Sequence, residues 1–278
     1  MPTIPNPLNS SHPLIMGIVN ITPDSFSDGG RFLQRDRAIK HARQLIAEGA
    51  DMIDLGGEST RPGATEVGLQ EECDRVLPVL EALVGDGLPI SIDTQKTALM
   101  IEAIKLGAAM INDVNALQMP GAISACVGSK VQVCLMHKQG VPGTMQQAPK
   151  YQNVVSEVRD FLLARADACL AAGITKERIV IDPGFGFGKT VQHNFRMLNE
   201  LRYFTESGFA VLAGFSRKSS LGAVTGRDAD GRLAASLAAA LISIQNGANI
   251  IRVHDVKETV DVLKVWQAVR ECGASPQL

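Results

Sequence analysis

Eight short apolar runs punctuate this chain, and each gives way to a polar side chain. The polar residues are Asn20, Asp54, Asp93, Asn112, His137, Asp182, Ser216 and His254. A short run of Ile, Val, Leu and Met with little polar alternation is the pattern of a strand buried on both faces. The predicted strands are Leu14–Val19, Met52–Leu55, Pro89–Ile92, Met110–Ile111, Val131–Met136, Ile179–Ile181, Val211–Ala213 and Ile250–Val253. Segments with helical spacing alternate with them: Arg35–Glu48, Leu69–Val84, Thr97–Leu106, Gly121–Val127, Val154–Ala172, Asn194–Ser207, Gly231–Asn246 and Val256–Arg270. Strict alternation of strand and helix favours a parallel sheet. Eight such units predict an α/β fold, a (β/α)8 TIM barrel in a single domain, with its site on the face where the strands end. A doubly wound open sheet has the same periodicity and is the alternative. Gly49-Ala50, Gly107-Ala108 and Gly247-Ala248 read as helix stops. No shift in composition divides residues 1–278, of which 1–13 read as an N-terminal lead and 273–278 as a short tail.

Charge and cysteine usage narrow the classes of function. Net charge is −2 and aromatics are 4% of the chain, so no basic field or stacking surface favours nucleic acid. The five cysteines, Cys73, Cys126, Cys134, Cys169 and Cys272, form no CxxC pair and read as buried free thiols of a reducing compartment. No Lys or Arg precedes Arg31, and prolines stand at 2, 5, 7 and 13, which is not a secretory pattern. The Ala-rich run Leu233–Ile244 is too short to span a bilayer. A cytoplasmic location is expected, with no membrane and no nucleic acid as partner.

The richest stretch is Ile181-Asp182-Pro183-Gly184-Phe185-Gly186-Phe187-Gly188-Lys189-Thr190. It resembles a phosphate loop only loosely, because Pro183 stands where that loop needs its first glycine. It reads instead as a βα loop whose glycines let a flat ligand lie near backbone. Asp93, Asn112 and Asp182 each suit a helix cap when taken singly, Asp93-Thr94 above all. Taken with Lys218 they make a cavity for a heterocycle, since one carboxylate can accept from adjacent N–H and NH2 groups as it does from a guanidinium. Arg61, Arg252 and His254 are candidates for one phosphate group, the last two from the end of strand eight. A solvated loop charge is the alternative for Arg61, and a cap or packing role suits His193. The loops Asn20–Gln34 and Gly56–Gly68 are long, polar and rich in Gly and Pro, and read as candidate lids. No clustered His and Cys suggest a structural zinc.

Five blocks, Asn20–Gly30, Asp54–Gly63, Asp182–Lys189, Gly214–Ser219 and Arg252–Asp255, resemble the dihydropteroate synthase family. They span almost the whole chain. The resemblance implies a (β/α)8 barrel, a homodimer, and condensation of 6-hydroxymethyl-7,8-dihydropterin diphosphate with p-aminobenzoate. It implies that Asp93, Asn112, Asp182 and Lys218 hold the pterin and that Asn20 helps hold Mg2+ on the diphosphate. Thr60, Arg61, Arg252 and His254 would contact the diphosphate or nearby groups. Phe187, Lys218 and Ser219 would border the aminobenzoate, with Phe26, Asp28 and Pro62 closing over it. Asp28, Arg61, Asp93, Lys218, Arg252 and His254 are the residues expected to carry the chemistry. Sulfonamides, which mimic aminobenzoate, are expected inhibitors. An aryl amine is neutral at pH 7, so a dissociative substitution needs no Ser-His-Asp or Cys-His nucleophile. Two alternatives share the pocket. A pterin-binding methyltransferase has no need of the Asp24–Gly30 and Thr60–Gly63 segments. A non-enzymatic pterin-binding paralogue should have lost the phosphate residues, which are all present here.

Overall fold

The computed structural model describes residues 3–22, 31–59, 66–140 and 149–273. Eight parallel strands close into a barrel in chain order. They are β1 (Leu14–Asn20), β2 (Met52–Gly56), β3 (Ile90–Asp93), β4 (Met110–Asp113), β5 (Gln132–Met136), β6 (Ile179–Asp182), β7 (Ala210–Ala213) and β8 (Ile250–Val253). The barrel shuts where β8 pairs with β1, Leu14 opposite Ile250 and Gly17 opposite Val253. The helices around it are α1 (Arg31–Ala47), α2 (Leu69–Val84), α3 (Thr97–Leu106), α4 (Ala122–Val127), α5 (Val154–Ala171), α6 (Val191–Asn199), α7 (Arg202–Thr205), α8 (Ser219–Thr225), α9 (Leu233–Gln245) and α10 (Val256–Gly273). The open-sheet alternative is thereby excluded.

Successive strand residues face opposite sides, and the chain uses both. Ile53, Ile90, Ile111, Val133, Ile181 and Val211 pack with helix residues in one continuous core. Met16, Met52, Met110, Val180, Leu212 and Ile250 form a second cluster that contains no helix residue, which places it inside the barrel. Ile4, from the N-terminal lead, joins that inner cluster. Its carbonyl accepts from Gln132 Nε2 at 3.2 Å, at the start of β5, and Pro7 O accepts from Asn249 Nδ2 at 3.4 Å. The lead thus closes the N-terminal end of the barrel. Burying one such aliphatic side chain is worth roughly 1.5–3 kcal/mol.

The same alternation builds the other end. Asp54, Asn112, Asp182 and Arg252 stand two positions after Met52, Met110, Val180 and Ile250, so they continue the inward rows as a final polar layer. Two helical expectations needed revision. The segment 194–207 is two helices, because α6 stops at Asn199, where Asn246 Nδ2 satisfies the carbonyl of Leu198 at 2.9 Å. The segment 231–246 begins as a 3-10 turn, Asp230–Arg232, before α9. The three Gly-Ala stops fall at helix ends, with Gly49, Gly107 and Gly247 at φ 104°, 108° and 91°. All five cysteines are free, but Cys73 is half-buried and Cys272 exposed, so only Cys126, Cys134 and Cys169 are buried thiols.

Candidate active site

Asp54 is the hub of the polar layer and is fully buried. Its Oδ2 accepts from Arg252 Nε at 2.6 Å and from Asn112 Nδ2 at 3.1 Å. The other end of the guanidinium donates to Asp93 Oδ2 at 2.9 Å. Burial works against the charge of Arg252, but Asp54 and Asp93 outweigh it and raise its pKa. Burial pushes Asp93 up to about 7, with Arg252 pulling the other way and Asp54 adding to the rise. Asp182 is also raised by burial, against the Gly184 N–H at 2.7 Å and the charges of Lys218 and Arg252. Three carboxylates with one guanidinium make a layer that gains from a ligand bringing hydrogen-bond donors. Asp54 Oδ1 and Asn112 Oδ1 are buried and have no hydrogen-bond partner among the described residues.

The cap readings of these strand-end residues fail in the structure. Helix α3 is capped at Lys96 without a side-chain cap bond, and it is Thr94 Oγ1, not Asp93, that accepts from Lys96 N, at 3.2 Å. Asp113, which sequence reasoning did not select, does the turn-making on β4. It accepts from Asn115 N and Leu117 N, both at 2.7 Å, and burial pushes it up to about 6. His193 takes part in a cap: Thr190 is the N-cap of α6, its Oγ1 accepts from His193 N at 3.1 Å, and His193 Nδ1 accepts from Thr190 N at 3.3 Å, a reciprocal capping box.

The loop after β6 is built differently from its sequence expectation. Gly184 and Gly188 have φ of +68° and +63°. A Cβ on Gly184 would lie 2.0 Å from His137 O, and one on Gly188 would lie 2.3 Å from Gln139 O. These two glycines serve the close approach of two protein loops rather than of a ligand. Lys189 fastens the joint. It is 2% exposed, and its Nζ donates to Gly184 O at 2.9 Å, Phe187 O at 3.1 Å and His137 O at 3.3 Å, with His137 Nδ1 at 3.0 Å. Burial pushes Lys189 down to about 7 and His137 down to about 3. The loop thus fixed presents Phe187, which packs with Val114 and Met136 and lies under Lys218, whose Nζ is 4.2 Å from the ring centroid.

Lys218 and Ser219 follow a strained residue. Arg217 has φ of 56°, a conformation uncommon for a side chain of that size. It is held there by Ser236 Oγ on its N–H at 2.9 Å, by Arg232 on its carbonyl at 3.0 Å, and by a two-point ion pair with Asp255. Lys218 is consequently the N-cap and Ser219 the first residue of α8. On the neighbouring β8 loop, His254 Nδ1 lies 3.0 Å from Ser216 Oγ, which accepts from His254 N at 3.3 Å. Burial, with Arg252 and Arg217 adding, pushes His254 down to about 3. It is therefore a neutral imidazole at pH 7, not a cation. Arg252, expected at a phosphate, is engaged with the carboxylates of the polar layer, a duty its sequence position did not announce.

Asn20 ends β1 beside the end of β2: its Oδ1 would lie 3.7 Å from a Cβ on Gly56. Phe26, Asp28, Thr60, Arg61 and Pro62 lie outside the described residues. The base of the second long loop is described. Glu58 accepts from Val67 N at 3.1 Å and from Lys96 Nζ at 2.6 Å, and Lys96 also bridges to Glu72 at 2.5 Å. Four supporting residues received no site role from the sequence: Asp54 and Ser216, which read only as strand ends, and Asp113 and Lys189. Asp54 carried a usable signal, since it stands two positions after an inward Met, as Asn112 does. Lys189 carried none, because three of its partners are backbone carbonyls and the fourth is the ring of His137, 52 residues away in sequence.

Among the described residues no helix is long and apolar enough to cross a membrane, and no group of three or more His, Cys, Asp and Glu could hold a metal ion. The family model described as pterin binding enzyme matches residues 16–254. The chain is 52% identical to a dihydropteroate synthase of Haemophilus influenzae over 94% of this chain and 95% of that relative. Its fold is similar to that of a Xanthomonas albilineans dihydropteroate synthase solved with 4-aminobenzoic acid, at a TM-score of 0.90 and 51% identity over 96% of this chain and 95% of the other. It is also similar to a Burkholderia cenocepacia dihydropteroate synthase complexed with 7,8-dihydropteroate, at a TM-score of 0.87 and 49% identity over 95% and 93% of the two chains.

Proposed function

The chain belongs to the pterin-binding enzyme family, and from that premise we propose how its barrel mouth performs the reaction of a dihydropteroate synthase. The protein is a transferase of folate biosynthesis. It joins 6-hydroxymethyl-7,8-dihydropterin diphosphate to p-aminobenzoate, giving 7,8-dihydropteroate and diphosphate. The observation that carries the assignment of roles is the hydrogen-bonded polar layer at the strand ends, in which Asp54, Asn112 and Asp182 are buried and Asp93 and Arg252 partly buried.

A pterin ring carries an N–H beside an amino group. Asp182 accepts both, and Asn112 Oδ1 takes the second amino hydrogen. Asp93 and Asp182 also stabilise the positive charge that spreads into the ring as the C–O bond to diphosphate breaks. The amine attacks after most of that cleavage, so the substitution is dissociative and no strong base is required. Phe187, Lys218 and Ser219 border the aminobenzoate, with Phe26, Asp28 and Pro62 contributed by the two long loops. Thr60, Arg61 and His254 contact the diphosphate, His254 as a neutral imidazole, while Arg252 supplies charge from below.

Mg2+ fits the residues present. The ion takes hard oxygen ligands and is often held by one or two protein groups plus substrate phosphates, and Asn20 offers a neutral amide oxygen at the β1 end. When bound, the ion would stabilise the charge gathering on the diphosphate. Sulfonamides occupy the aminobenzoate position. The enzyme works in the cytoplasm, in keeping with its unpaired cysteines. It forms a homodimer through exposed apolar residues of the last helices, among them Ile242, Val265 and Val269; sedimentation should give twice the chain mass.

The test of the assignment is mass detection of 7,8-dihydropteroate from both substrates and Mg2+. Product that vanishes when the aminobenzoate is omitted supports it. No product, or methyl transfer from methyltetrahydrofolate to a corrinoid, overturns it.

A further inference from the structure

We propose that Asp54 fixes the amide orientation of Asn112, and through it makes the pocket select a ring amino group over a ring oxo group. The proposal rests on the pterin reading above and adds a specificity-determining residue to it.

A carboxylate has only acceptors to offer, whereas an amide has a donor end and an acceptor end. Asp54 Oδ2 stands 3.1 Å from the Asn112 amide, so the end facing it must be Nδ2. The carbonyl end is then turned away from Asp54, and Oδ1 is the buried acceptor that lacks a partner among the described residues. Asp54 cannot rotate to release this lock. The same Oδ2 takes Arg252 Nε at 2.6 Å, and that guanidinium is itself held by Asp93 at 2.9 Å. The order of command runs from Asp93 to Arg252 to Asp54 to Asn112. Its last link is an acceptor at the end of β4, and Asp182, at the end of β6, is a second acceptor in the same layer.

A ligand with an amino group between two acceptors satisfies both. A ligand with an oxo group there sets oxygen against oxygen and leaves buried acceptors unpaired, which is the strongest form of rejection a polar pocket has. Were Asn112 free to turn over, its Nδ2 would donate to the oxo group and relieve half of that conflict. Asp54 is thus a positioning residue whose effect is read in selectivity rather than in affinity alone.

The experiment is titration calorimetry at pH 7 with 6-hydroxymethylpterin and with 6-hydroxymethyllumazine, which carries oxo in place of the amino group. Wild type should prefer the pterin by about a hundredfold or more. Asp54→Ala should cut that preference by roughly tenfold or more, because nothing then dictates the orientation of Asn112. Asp54→Asn should keep the preference within about threefold of wild type, because Arg252 Nε still demands an oxygen at the Oδ2 position and that oxygen still faces Asn112. A wild-type preference in Asp54→Ala would overturn the proposal. So would an equal collapse in Asp54→Asn and Asp54→Ala, which would show that charge and not orientation matters. Should Asp54→Ala fail to fold, Asn112→Ala decides: the preference must fall there too, and its persistence overturns the proposal. Turnover of the wild type, measured alongside, separates the two levels. Turnover with an unmoved preference sinks only the role of Asp54, and absence of both turnover and pterin binding sinks the reading beneath it.

Discussion

Two basic side chains stand two strands apart at the barrel mouth, Arg252 at the end of β8 and Lys189 in the loop after β6, and their surroundings could hardly differ more. Arg252 is answered by carboxylates, Asp54 and Asp93, and its pKa rises. Lys189 is answered by the carbonyls of His137, Gly184 and Phe187, and burial pushes it down to about 7. Desolvation works against the charge of both, so it is the partner that decides. The carboxylates around Arg252 belong to the polar layer to which the proposed function assigns the pterin. The carbonyls around Lys189 belong to two loops that must stay together for Phe187 to lie under Lys218. On the proposed function, the first organises chemistry and the second organises scaffold.

The largest effect should come from cutting the first group. Arg252→Met leaves Asp54 and Asp93 buried without a counter-charge, which typically costs about 3–5 kcal/mol. Turnover should fall by roughly 10²–10³ as well. Urea unfolding and steady-state kinetics measure the two losses, and wild-type turnover in the variant would remove Arg252 from the site. Lys189→Met should cost less, about 1–3 kcal/mol for carbonyls left unpaired. Its kinetic signature should be a raised KM for p-aminobenzoate, because Phe187 loses its support, with little change for the pterin. An equal rise in both KM values would break the division between the two cations.

Stability against pH sharpens the contrast because the two sides have opposite signs. Lys189 is lowered from 10.5 to about 7, so between those values the unfolded chain holds a proton that the folded chain lacks. Its contribution is full above 10.5 and is lost as pH falls to 7, a slope of at most about 1.4 kcal/mol per pH unit. Asp93 is raised from 3.8 to about 7, so its contribution is full below 3.8 and is lost as pH rises to 7. Melting temperatures of wild type and Lys189→Met should converge as pH drops from 9.5 towards 7, the variant lacking the alkaline gain; parallel curves would contradict the buried, depressed Lys189. The smallest effect is expected at Ser216→Ala. Losing the two contacts of its hydroxyl with His254 should cost about 0.5–1.5 kcal/mol each. It should raise the KM for the diphosphate substrate a few-fold and leave affinity for unphosphorylated pterin alone.

The two sides also differ in how far they could be read from sequence. Barrel strands announce themselves as apolar runs, and the polar residue closing each run marks the functional end, so Asp93, Asn112 and Asp182 were legible before any coordinates. Asp54 was legible as a strand end but not as a hub, because hubs are made by registration of β2 with β4 and β8 across the barrel interior. The Lys189 joint was opaque. Backbone carbonyls leave no residue signature, and glycines that admit a neighbouring loop look like glycines that admit a ligand. Arg252 was visible as a charge at a strand end, but whether its partner is phosphate or carboxylate depends on side chains far away in sequence.

The division of labour between the two cations is tested most directly by pterin affinity alone, without turnover. Titration of 6-hydroxymethylpterin into Arg252→Met and Lys189→Met at one pH should show a loss of about a hundredfold in the first, in line with the loss of a buried charged partner. The second should stay within about threefold of wild type while melting at a lower temperature. Equal losses in the two variants, or a larger loss in Lys189→Met, would contradict the account.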